Sequence, residues 1–252
     1  MNMKPIKDMD SLKGIKPVDD DQLPSSPYGP CDKCDGLGNL KTETGMMSCP
    51  DCKGKYFIQK AIESCGVPEE LREISTLENF KQVHPSTPEL LEGIEGYIES
   101  STKKSGGIIM HGRPGSGKTH LAIAILLRLI ERNFTGEFIE WSELLGRYQR
   151  SAYNEQGREL GWFFDILDVD ILVLDDFGKG MKVSEWVAEE TYQIIHTRYR
   201  KRKPTIITTM LDWRGGEADR LFGEAVASRL EHHSSMIDFN DLGNYRRGKE
   251  GE

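Results

Sequence analysis

A chain of 252 residues with 33 basic and 41 acidic side chains carries a formal net charge of −8, which argues against charge-driven coating of nucleic acid and leaves room only for a local basic groove. No apolar run approaches the roughly 20 residues that span a bilayer, and the opening stretch MNMKPIKDMDSLKGIKPVDDD lacks the apolar core of a secretory signal. The expected setting is therefore the cytoplasm, with no membrane partner, and the length suits one large domain or one domain with a small module.

Residues 1–28 are polar, with prolines at 5, 17, 24 and 27 and no sustained periodicity, and read as a flexible tail. A cysteine-rich module follows over 29–60. CDKCDGLGNLKTETGMMSCPDCKGK contains two Cys-x-x-Cys pairs, Cys31/Cys34 and Cys49/Cys52, separated by 14 residues. In a cytosolic chain this spacing predicts a closed, structural Cys₄ zinc site rather than disulfides, with a short hairpin between the pairs. The glycines after each pair suit a knuckle in which backbone N–H groups turn toward thiolate sulfur. Zinc would replace a hydrophobic core that so short a module cannot build. Cys65 is left over as a free thiol.

Residues 61–106 read as a helical linker. PEELREI is a short helix, STLENFKQVHPSTPE a connection, and LLEGIEGYIESS an amphipathic helix with apolar residues at 90, 91, 94, 97 and 98.

From 107 to 248 strands and helices alternate, which predicts an α/β fold with a parallel sheet between helical layers. GIIMH is the first strand. GRPGSGKTH after it satisfies G-x-x-x-x-G-K-[ST], and an apolar helix follows, so the motif has the strand–loop–helix context that a phosphate-binding P-loop needs. Gly112, Arg113, Pro114, Gly115, Ser116, Gly117, Lys118, Thr119 and His120 are the expected ATP/ADP contacts. Backbone N–H groups and the helix N-terminus face the phosphates, Lys118 reaches the β- and γ-phosphates, and Thr119 ligates Mg²⁺.

GEFIEW is the second strand, and SELLGRYQRSA and GRELGWFFDIL read as helices. DILVLDDFG is a buried strand ending in two acids. Asp175 is the expected Mg²⁺ carboxylate. Asp176 orients or deprotonates the attacking water, or else caps the turn into Gly178. VSEWVAEETYQIIHTRYRKR is a long helix whose basic end, RYRKRK at 198–203, reads as a solvated helix end or a local DNA contact. Within it Arg198, Arg200, Lys201, Arg202 and Lys203 are the candidate phosphate contacts, with Tyr199 and Tyr148 as candidate base platforms. PTIITTM is the strand beside DILVLDD, with Thr208 and Thr209 as candidate γ-phosphate sensors. EAVASRLEHH is a helix and SMIDF a last short strand.

The ordered set STLENF, IIMHGRPGSGKTHLAIAI, DILVLDDFG, SEWVAEETYQIIHTRYRKRKPTIITTM and EAVASRLEHHSSMIDF…NYR resembles AAA+ ATPases of the bacterial helicase-loader family, the DnaC and DnaI type, with their IstB-type transposition relatives. The resemblance implies an AAA+ P-loop ATPase core behind the small Cys₄ zinc module. The resemblance covers most of 72–247, so the Cys₄ module rests on its cysteine spacing alone; within the core the resemblance implies an arginine finger at Arg229 acting on a neighbouring subunit's nucleotide, and hence self-association through the ATP sites. It also implies a sensor II arginine at Arg246 and an adenine-proximal Phe80. Met210 stands where the family commonly has Asn, so either Thr209 takes that role or hydrolysis is slow. The implied partners are a replicative hexameric helicase and single-stranded DNA. The alternatives are a transposition ATPase on duplex DNA and a nucleotide-switched adaptor.

Overall fold

Short uninterrupted apolar runs make strands that are buried on both faces, and three such runs form the centre of this molecule. The computed structural model describes residues 29–43, 45–81, 84–153, 161–179 and 183–242. The expected flexible tail lies outside them. The chain divides into two compact units between Phe57 and Ile58.

In the first unit, strands β1 (Asn39–Thr42) and β2 (Gly45–Ser48) pair antiparallel, the hairpin expected between the cysteine pairs. A π-helical turn over Pro50–Gly54 follows. Among the described residues the unit's buried cluster is Cys34, Cys49 and Cys52, with Cys31 and Leu40 packed against it.

Helix α1 (Lys55–Ser64) contains the division. In the second unit come α2 (Glu69–Ile74), α3 (Thr87–Ser100), β3 (Gly107–His111), α4 (Lys118–Glu131), β4 (Gly136–Glu140), α5 (Trp141–Tyr153), α6 (Gly161–Asp168), β5 (Ile171–Asp175), α7 (Glu185–Arg200), β6 (Thr205–Thr209), α8 (Glu217–Phe222), α9 (Glu224–His232) and β7 (Ser234–Asp238). The five strands β3–β7 form one parallel sheet in the order β4-β5-β6-β3-β7. Alternate residues send their side chains to opposite layers. Ile108, Met110, Ile171, Val173 and Ile206 pack with α4 and with Ile94 and Ile98 of α3. Ile109, Leu172, Leu174 and Ile207 pack with Leu144 of α5, Ile166 of α6, Ile194 of α7 and Val226 of α9. This is the expected three-layer α/β arrangement.

The stretch expected to be a linker is part of this core. Cys65, Val67, Leu77, Ile94 and Ile98 are buried with the P-loop helix α4, and Phe138 N–H of the edge strand β4 donates to the Cys65 carbonyl (2.7 Å). Two helices, α1 and α8, were not expected from the sequence.

The basic run 198–203 is not a uniformly solvated or DNA-facing cluster. Arg198 is 1% exposed. Its guanidinium donates to the carbonyls of Leu167, Val169, Asp170 and Pro204 and to the Thr205 hydroxyl. Burial lowers its pKa to about 9, so it stays charged at neutral pH. Charge in so dry a place survives because every arm of the guanidinium has a partner. Arg198 is therefore a structural staple and no DNA contact. Lys201 and Lys203 both bind Asp168, and Lys203 is half-buried. Tyr148 packs on Phe163 and Trp186, and Tyr199 packs edge-on against His232. Arg200 and Arg202 remain exposed. Replacing Arg198 with Met should strand several buried carbonyls and cost about 3–5 kcal/mol. Urea or thermal unfolding checks this, and a variant as stable as the parent would contradict it.

Candidate nucleotide-binding site

The P-loop connects β3, an inner strand of the sheet, to α4, and its conformation follows from its glycines. Gly117 has φ +94°, and a Cβ there would lie 2.5 Å from the Phe80 ring. Only glycine lets the loop turn into the helix beneath that ring. Lys118 is buried and donates through Nζ to the carbonyls of Gly112 and Arg113 (both 2.7 Å), while Ser116 Oγ donates to the Arg113 carbonyl (2.9 Å). The lysine is thus held at the loop's own rim.

Thr119, the second residue of α4, donates to Asp175 Oδ1 at 2.9 Å. Thr208 Oγ1 donates to the same oxygen at 2.6 Å. Burial raises the Asp175 carboxyl's pKa, against the lowering effect of these two hydroxyls. A hydroxyl and a carboxylate meeting at the foot of a phosphate loop form a donor set that fits Mg²⁺, which favours oxygen ligands. Asp176 follows in left-handed backbone, φ +51°, a conformation that Asp tolerates better than most residues. Its N–H donates to Thr208 Oγ1 (3.0 Å), and its carboxylate accepts from Lys179 Nζ.

Of the two candidate sensor threonines, the structure places Thr208 beside the acids. Thr209 Oγ1 donates instead to the Phe177 carbonyl (2.7 Å) and accepts from Leu211 N–H (3.1 Å), so Thr209 does not stand in for the expected Asn. Successive residues of a strand face opposite ways, and the site receives the first of the pair.

The P-loop from Pro114 onward and the two acids, but not Gly112, Arg113, Thr208 or Thr209, line one cavity of about 530 Å³, within the size range of small-molecule sites. Pro114 to His120, Asp175 and Asp176 form its polar side. Leu71, Ile74 and Phe80, from α2 and the segment before α3, form an apolar wall suited to a flat base. Phe80 meets the His120 ring edge-on at 5.4 Å, and His120 Nε2 lies 2.7 Å from the Thr76 carbonyl. Leu71, Ile74, Lys179 and Met210 line the cavity without having been marked as site residues from the sequence. Arg229 is not among the lining residues. It lies on α9, over the ring of Tyr192 at 5.1 Å, and donates to the Ala225 carbonyl. Arg246 lies outside the described residues.

The four cysteines form a separate candidate metal centre. Their Sγ atoms all lie within 4.8 Å of one another, with Cys31–Cys49 at 3.7 Å and Cys34–Cys52 at 3.3 Å. A tetrahedral Zn²⁺ with bonds of about 2.3 Å would space its sulfurs about 3.8 Å apart, so the cluster fits that ion with small adjustment. Gly38 N–H donates to Cys34 Sγ (3.2 Å), as a knuckle requires. Burial and the neighbouring thiols push the Cys52 thiol up to about 12. Four thiols this close repel as thiolates unless a cation joins them. Cys65, by contrast, is a buried thiol in the other unit.

Comparison with known proteins places this site in context. The sequence model described as IstB-like ATP binding protein matches residues 78–251. The replicative helicase loader DnaC of Escherichia coli (strain K12) is 25% identical over 189 residues, covering 75% of this chain and 76% of that protein. A protein described as the ATP-binding protein of insertion sequence IS5376, from Geobacillus stearothermophilus, is 31% identical over 146 residues, covering 57% of this chain and 56% of its own. Among solved structures, that of the DnaC helicase loader superposes with a TM-score of 0.62 at 25% identity, over 68% of this chain and 99% of that one.

Proposed function

The chain belongs to the family of IstB-like ATP-binding proteins, and from that membership we propose that it is a loader that uses ATP to place a replicative hexameric helicase on single-stranded DNA. The family makes it an AAA+ ATPase. The observation that favours the loader role is the likeness to DnaC, which extends over three quarters of both chains. The likeness to the insertion-sequence protein is higher in identity but covers little more than half of each chain. That identity keeps a second reading in view, a transposition ATPase acting on duplex DNA.

In this reading the P-loop amides and Lys118 hold the phosphates, and Phe80 with its apolar neighbours holds the adenine. Thr119 and Asp175 would hold Mg²⁺, which when bound neutralises charge on the β- and γ-phosphates. Asp176 orients the water that attacks the γ-phosphorus, releasing ADP and phosphate. Arg229 lies outside its own cavity's lining, which suits a finger that completes a neighbour's site on assembly, and Arg246 is assigned as sensor II. The cysteine unit, holding Zn²⁺ through Cys31, Cys34, Cys49 and Cys52, is the helicase-binding end. DNA contact falls to exposed basic residues such as Arg200 and Arg202.

The test is a loading assay with the full chain and the host's replicative helicase on circular single-stranded DNA. Wild-type protein with ATP should leave helicase on the circles after a salt wash. Lys118→Ala should capture the helicase and fail to deposit it. If the chain captures no helicase and instead assembles on duplex DNA with ATP, the transposition reading replaces this one.

A further inference from the structure

We infer that Lys179 is the γ-phosphate-contacting cation of this nucleotide site, supplying the polar contact that Met210, the residue after β6, lacks. The inference rests on the nucleotide-binding reading above. Met210 is 39% exposed and lines the cavity. Its thioether is at best a weak acceptor and has no proton to give a phosphate oxygen. At the same wall the turn after Asp176 is strapped to β6. Phe177 N–H donates to the Thr208 carbonyl (2.8 Å), and the Thr209 hydroxyl donates to the Phe177 carbonyl (2.7 Å). Gly178, at φ +79°, packs so tightly on Leu211 that a Cβ would come within 2.8 Å of Leu211 Cδ1. These contacts bring Lys179, whose N–H closes the turn on the Asp176 carbonyl (3.1 Å), to the cavity wall it shares with Met210.

Lys179 Nζ is paired with Asp176 Oδ2, and the two side chains are 51% and 27% exposed. A pair this wet is weakly held and exchanges readily. The terminal phosphate of a nucleoside triphosphate carries more charge than one carboxylate, and a four-carbon stem allows the ammonium to turn to it. That movement would leave the Asp176 carboxylate free to accept a proton from water. A diphosphate lacks the terminal group and leaves the pair as it stands. One lysine thereby couples recognition of the triphosphate to release of the water-orienting acid, a task that neither Met210 nor Thr209 performs.

The test is competition of ADP and a non-hydrolysable β,γ-imido ATP analogue against a fluorescent nucleotide on the full chain. Wild type should prefer the triphosphate. Lys179→Ala should weaken the triphosphate analogue about tenfold and ADP by no more than about twofold. Lys179→Arg should restore most of the difference. Asp176→Asn, which removes the competing charge, should tighten the triphosphate analogue. The inference is overturned if Lys179→Ala keeps the wild-type ratio of the two affinities, whatever happens to turnover. It is equally overturned if wild type shows no preference, or if both nucleotides weaken together and Arg restores neither. Wild type that binds no nucleotide at all would instead remove the site reading on which this rests.

Discussion

Lys118→Ala is expected to lose at least about a hundredfold in affinity for both ADP and ATP, because it removes the buried ammonium meant to move from the loop's carbonyls onto phosphate oxygens. In the structure that ammonium is bonded to the Gly112 and Arg113 carbonyls. A second effect, on the loop itself, must therefore be separated from the first. Unfolding of the variant without nucleotide measures it, and a modest loss there beside a complete loss of nucleotide-induced stabilisation is the expected pattern. Asp175→Asn isolates the metal. Asn still accepts from Thr119 and Thr208, so the local hydrogen bonds survive, while the charge that would hold Mg²⁺ is gone. Nucleotide binding should then stop depending on Mg²⁺. A Lys118→Ala protein that binds ATP like the parent would mean that the P-loop is not the nucleotide site.

The other large effect is expected from metal removal. Purified protein should contain about one Zn²⁺ per chain, and chelation should unfold the β1–β2 unit as a whole. Structural zinc in small peptides is worth roughly 10–16 kcal/mol near neutral pH. Among the described residues of this unit, three buried cysteines with Cys31 and Leu40 make up the cluster while Leu37, Met46 and Met47 are exposed. Hydrogen exchange over residues 29–57, before and after chelation or in Cys34→Ser, reads the change, with nucleotide binding by the other unit as the control. Metal-free protein that protects those amides would refute the site.

Much of this was legible in the sequence, for identifiable reasons. GIIMH, DILVLDD and PTIITT are buried on both faces, and burial of that kind writes itself as an unbroken apolar or β-branched run. The P-loop and the paired Cys-x-x-Cys motifs show because phosphate and metal each demand fixed residue types at fixed spacing. What failed to show depends on phase, length or partners. Thr208 and Thr209 have the same side chain on adjacent positions, and only the strand's phase decides which one meets Asp175. α8 is six residues of EADRLF, too short for a helical period to emerge. Arg198 looks like its basic neighbours, and only the carbonyls converging on it from elsewhere in the chain make it internal. Lys179 takes its place from a left-handed Asp176 and a tight Gly178, neither of which a pattern of residue types announces.

The Arg198 staple also bears on how the molecule comes apart. Its acceptors sit at the end of α6 and the turn before β5, at residues 167–170, and at the entry to β6, at Pro204 and Thr205, while the guanidinium itself hangs from the last turn of α7. Fraying any one of these three ends leaves a buried charge or bare carbonyls at the other two, so none can open cheaply alone. Helix ends and strand entries are ordinarily where a fold loosens first. Here they are tied into one cooperative unit, and amide exchange at the end of α7 and at the start of β6 should follow the slow global opening of the sheet. An alanine scan of the basic run that scores only DNA retention would therefore confuse a collapsed core with a lost contact at one position of the six.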